Sequence, residues 1–141
     1  MTAALVGSAA VMNLVWGFVG DRRGHKVVLA SSAFALVLAA LVAWQATSQS
    51  WLFVTFILLG VYTAGDGVSS LNIILEFCTP QDRPTYIGLT NTLLAPVLSL
   101  APLLGGVLVM AVGYTGLFVT ACCCALVGGV LMTLWVREPR G

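Results

Sequence analysis

Charged side chains are scarce in this sequence. Six Lys and Arg, five Asp and Glu and one His are spread over 141 residues, so charge makes up 8% of the chain. An ordinary soluble domain carries about 25%, and a chain with so little could not cover a core of its own in water. A soluble all-helical domain is therefore set aside. The net charge of +1 offers neither a basic nor an acidic surface, so no nucleic-acid partner is expected. A single His leaves most metal and acid–base enzymes without ligands or bases. No Gly-rich phosphate loop, Ser-His-Asp set or zinc-type spacing occurs. Three of the four cysteines are consecutive, Cys122, Cys123 and Cys124, and Cys78 is remote. Neighbouring positions on a helix point in different directions, so these read as small apolar fillers. No metal, cofactor or structural disulfide is expected, and no enzyme.

What the chain has instead is apolar length: 60% of its residues are hydrophobic and the mean hydropathy is +1.04. Five stretches stand out, at residues 1–20, 27–44, 51–75, 86–112 and 115–136. A spanning helix needs about 20 mostly apolar residues. Each stretch must be helical, because an unpaired backbone group in hydrocarbon costs several kcal/mol. The expected fold is thus an all-α membrane protein of five transmembrane helices, with the lipid bilayer as its solvent. Residues 1–20 do not read as a secretory leader, since they lack a basic start and the charges follow the apolar run.

Arg22, Arg23 and Lys26 lie between the first two stretches, Arg83 between the third and fourth, and Arg137 and Arg140 after the fifth. In a five-span arrangement all six fall on one side, and Lys and Arg are held on the cytoplasmic side during insertion. This places the N-terminus outside and the C-terminus in the cytoplasm of a plasma-membrane protein. Trp16, Trp44, Trp51 and Trp135 lie near span ends, where an amphipathic ring prefers the interface.

The segment "GFVGDRRGHK", residues 17–26, holds four charged residues and the only His. Its cations serve topology, but Gly17, Asp21 and Gly24 need another reason. Gly17 permits close approach of helix backbones. Gly24 suits a tight turn with positive φ. Asp21 suits a neighbouring helix N-terminus, and Arg22 an acid on another helix. Such a latch could hold one face shut and be broken and remade. Glu76, Asp82 and Arg83 mark the next loop on that side. As exposed pairs with the first loop they would contribute under about 1 kcal/mol.

Within the spans Asp66 is the sharpest candidate. A charge at that depth costs at least ~2.5 kcal/mol, so it should face protein interior or water, either as a proton or substrate contact or as a paired cavity acid. Tyr62 lies one turn earlier on the same face, as a wall of that site or as packing. Asn13, Asn72 and Asn91 either line a pathway or hydrogen-bond between helices for ~0.6 kcal/mol each. Pro96 and Pro102 each remove a backbone donor and can kink the fourth stretch. With Gly105 and Gly106 they suggest a bent, closely packed helix.

Gly17, Asp21, Arg22, Gly24 and Lys26 resemble the G-x-x-x-D-R/K-x-G-R-R/K signature of the major facilitator superfamily, with His25 where that pattern prefers Arg. The resemblance implies twelve helices in two six-helix halves. It implies secondary transport of a small solute by alternating access around a midplane site. The signature stands between helices two and three and again, weaker, between eight and nine. Stretch three lacks the membrane Arg usual in the fourth helix, and "APLLGG", residues 101–106, has Ala101 where the antiport signature begins with Gly. The resemblance therefore favours helices eight to twelve, the C-terminal half, with the N-terminal half outside this sequence. One half supplies only part of a site, so these residues alone are expected not to transport unless the missing N-terminal half or a partner chain supplies the rest. A non-transporting membrane interaction or assembly protein derived from a half-transporter is the alternative. The solute, its direction and the coupling ion are not legible.

Overall fold

The computed structural model describes residues 1–136; Arg137 and Arg140, used above for orientation, lie outside the described residues. It contains four helices: α1 (Thr2–Arg23), α2 (His25–Trp44), α3 (Gln49–Phe77) and α4 (Arg83–Leu134). All four are long and apolar enough to cross a membrane, and among the described residues there is no strand.

The fourth and fifth apolar stretches share α4. Its 52 residues would run about 78 Å if straight, more than twice the ~30 Å of hydrocarbon. It is not straight. Gly113 has φ 72 and ψ −178, outside the helical region. A Cβ on Gly105 would lie 3.9 Å from Leu117 Cδ1, although twelve residues of straight helix would separate the two backbones by about 18 Å. The chain therefore folds back at Gly113, and the sharp break falls there rather than at Pro96 or Pro102.

Direction follows from a few contacts. Leu5, Ser8 and Ala9 approach Gly60, and Trp16 approaches Val61 and Gly65, so α1 and α3 run parallel. Ser32 meets Gly65 and His25 meets Ser69, so α2 is antiparallel to α3. Cys122 meets the Val37 carbonyl and Lys26 that of Thr133, so the last part of α4 is antiparallel to α2. Helix α2 is thus enclosed between α3 and the end of α4, and it holds most of the core: Val28, Ala30, Ala35, Val37, Ala39 and Ala40. The side chains are small because, in lipid, helices associate by close van der Waals packing rather than by escape from water. From Arg83 to Gly128 no residue is buried. Leu93, Leu98, Leu103 and Met110 are more than half exposed, as suits a surface covered by lipid or by further helices.

Two turns depend on glycine. Gly24, the single residue between α1 and α2, has φ 89 and ψ 152, close to the region of Gly113 and essentially closed to other residues. A side chain forced there costs about 1–3 kcal/mol. Gly24→Ala and Gly113→Ala should each lower the unfolding free energy of the purified protein by that amount, read as a lower unfolding midpoint. Because they sit at opposite ends of the bundle, the losses should add; a midpoint unchanged in both variants would show that the turns are not strained.

Candidate functional site

The charged loop is built from the ends of three helices. Gly20 is buried on the last turn of α1 because a Cβ there would lie 2.8 Å from the His25 ring. That ring is buried, and its Nδ1 is 3.2 Å from the Ser69 hydroxyl on α3. Lys26 Nζ donates to the Thr133 carbonyl at 3.0 Å. The carbonyl lies in the last turn of α4, where a cation is favoured by the unpaired carbonyls and the helix dipole. The loop thus pins α1, α2, α3 and the end of α4 together on one side.

The signature residues are placed differently from one another. Gly24 makes the turn, Lys26 makes the α4 contact, and Asp21 is exposed on α1. Arg22 lies over the Phe18 ring of its own helix, 4.2 Å from the centroid. Gly17 is not a point of close approach, since nothing lies within 4 Å of where its Cβ would be. Close approach falls to Gly20, Gly60 and Gly65 instead, because those are the glycines on the packed faces of α1 and α3. Trp16 also differs from a headgroup anchor. Its indole N–H donates to the Val61 carbonyl at 3.0 Å inside the bundle.

The mid-membrane residues lie on α3. This helix turns Gly60, Val61 and Gly65 to α1 and Gly65 and Ser69 to α2. The remaining arc carries Thr63, Asp66, Gly67 and Ser70, spaced i, i+3, i+4, i+7; the first three are exposed and Ser70 is half-buried. Thr63 Oγ1 donates to the Gly60 carbonyl at 3.1 Å, which leaves its oxygen able to accept. Asp66 lies eleven residues before the end of α3 at Phe77, about 16 Å along the axis. A polar stripe at that depth must face water or protein.

Tyr62 is half-buried beside the stripe. Asn72 lies on the same helix, and its amide donates to the Val68 carbonyl at 2.6 Å, within that helix. Asn13 is exposed on α1 and Asn91 on α4; neither is brought to Asp66 by any described contact. Among the described residues no three His, Cys, Asp or Glu converge as metal ligands. Cys122 packs on α2 while Cys123 and Cys124 are exposed.

A bundle of long apolar helices with a polar mid-membrane stripe and a charged loop at one end is a multi-pass membrane protein of transporter type. The family model described as Major Facilitator Superfamily matches residues 1–141, and the chain belongs to that family, whose members are transporters rather than enzymes. It is 28% identical over 136 residues to the multidrug resistance protein MdtL of Klebsiella pneumoniae (strain 342), covering 96% of this chain and 34% of that protein. It is 27% identical, with the same coverage, to MdtL of Salmonella typhimurium (strain LT2) and of Salmonella newport. The chain thus spans about a third of the length of the curated relatives it matches. No solved structure gives a significant match.

Proposed function

We propose that this chain is the C-terminal half, helices eight to twelve, of a secondary active transporter that exports drug-like small solutes across the plasma membrane by alternating access. The observation that carries the reading is the stripe of Thr63, Asp66, Gly67 and Ser70 on the face of α3 that neither α1 nor α2 covers. A polar face at mid-depth suits the wall of a water-filled pathway between the two halves. The N-terminal half supplies the opposite wall. The six basic residues set the N-terminus outside and the C-terminus in the cytoplasm. The choice of drug-like solutes rests on the name of the MdtL relatives.

In this reading the loop of Asp21, Arg22, Gly24 and Lys26 is the cytoplasmic latch. Lys26 fixes the end of α4, Asp21 lies exposed near the end of α1, and the latch as a whole faces the other half.

The test uses the complete polypeptide in a strain from which its gene is deleted. Accumulation of a panel of chemically unrelated antibacterial compounds is measured with and without expression. Lower accumulation of several compounds is expected. Unchanged accumulation of all of them, with stable co-purification of another membrane protein, would establish the assembly-protein alternative instead.

A further inference from the structure

At the charged end of the bundle the start of α2 stands beside the end of α4. Between them runs a groove of about 380 Å³ lined by Lys26, Val27, Ala30, Ser31, Phe34 and Thr133. Val27, Ala30, Ser31 and Phe34 fall at i, i+3, i+4 and i+7 and so form one stripe along α2, with Lys26 at its head. Val27 and Phe34 are 37% and 42% exposed. Phe34 lies against Gly129, whose Cβ would be 3.8 Å from the ring. The missing side chain there lets the ring settle on α4.

One end of the groove is charged and the rest is mostly apolar. Lys26 gives one ammonium donor to the Thr133 carbonyl, and an ammonium has three. The first turn of α2 adds the positive end of its dipole, and no side chain caps it at Gly24. No acidic side chain lines the groove.

We infer that this groove binds an anionic phospholipid, with the phosphate against Lys26 and the first turn of α2, and one acyl chain along Val27, Ala30 and Phe34. The order of the groove picks out this occupant. Its charge sits where α2 leaves the loop, at headgroup depth, and its apolar stripe continues along α2 into the hydrocarbon. A free anion would use the first part and leave the stripe idle. A neutral lipid would use the stripe and leave the cation uncompensated. Basic sites between helix ends at a membrane face suit anionic headgroups in this way. The site is independent of which solute the transporter carries.

The experiment is native mass spectrometry of the complete polypeptide, released from bilayers holding equal phosphatidylglycerol and phosphatidylcholine. Lys26→Gln removes the charge but keeps a donor for the Thr133 carbonyl. Val27→Glu leaves Lys26 in place and sets a carboxylate beside it, in a first turn that tolerates an acid. The wild type should retain one phosphatidylglycerol in preference to phosphatidylcholine. Each variant should lose that preference by about five-fold, the effect of one surface charge, whereas Arg83→Gln on the other loop should retain it. Equal retention of both lipids by the wild type overturns the inference. So does an undiminished preference in both groove variants, or displacement of the lipid by inorganic phosphate at equal concentration.

Discussion

Asp66→Asn in the complete transporter is expected to reduce net solute export at least about ten-fold while leaving the amount of protein in the membrane unchanged. Asn keeps the size of the side chain and one acceptor oxygen, puts an NH2 donor in place of the other, and loses the charge and the titrating proton. A charge at mid-membrane costs at least ~2.5 kcal/mol, so its removal should not destabilise the helix. Any loss of export then belongs to the pathway rather than to folding. Asp66→Glu keeps the chemistry and moves the carboxyl by one methylene, so it should recover part of the activity. Thr63→Val and Ser70→Ala, on the same face, should change which compounds are exported more than how export depends on pH. The measurement is uptake into inverted vesicles, the direction that corresponds to export from the cell, across a range of pH. An Asp66→Asn variant with wild-type rates and an unaltered pH profile would remove Asp66 from both the coupling and the solute site.

Much of this architecture is legible in the residue pattern, for definite physical reasons. Lipid demands long apolar helices, so the spans are read from length alone. Gly24 is read from the tight turn, since only glycine takes its backbone angles at low cost. Asp66 is read from the expense of a charge at its depth. What the pattern does not give is which side of each helix is packed. In a soluble helix the apolar side marks the core, but α1 is apolar nearly all round, so periodicity carries no such signal. That is why Gly17 and Gly20, one turn apart, look equivalent, although one faces open space and the other the His25 ring. His25 and Ser69 are 44 residues apart, and nothing local links them. Trp16 shows the same limit: an indole near a span end suits an interface, yet its N–H meets a carbonyl inside the bundle. The stripe on α3 is a different case. The i, i+3, i+4, i+7 spacing of Thr63, Asp66, Gly67 and Ser70 is present in the sequence. Reading residues singly by charge picks out only one of the four.

The largest structural effect is expected at Gly60. A Cβ there would meet the Ser8 hydroxyl, and it would lie 2.5 Å from the Leu5 carbonyl oxygen and 3.0 Å from the Ala9 nitrogen. Two of these neighbours are backbone of α1 and cannot rotate away. Overpacking a close contact costs about 1–3 kcal/mol where side chains can yield; here the whole of α1 must shift. Helices in lipid gain no hydrophobic drive to stay together, so a lost close contact is hard to recover elsewhere. Gly60→Leu should therefore detach α1 from α3, break the Trp16 hydrogen bond to Val61 and leave little intact protein in the membrane. Gly67→Leu is the matching control. It lies two turns further along the same helix, its Cβ would meet nothing within 4 Å, and the added bulk sits on the polar face. That variant should accumulate normally and be impaired only in export. Immunoblotting of membranes and limited proteolysis separate the two results. If Gly60→Leu accumulates as well as Gly67→Leu, the parallel contact of α1 with α3 is not what holds this bundle together.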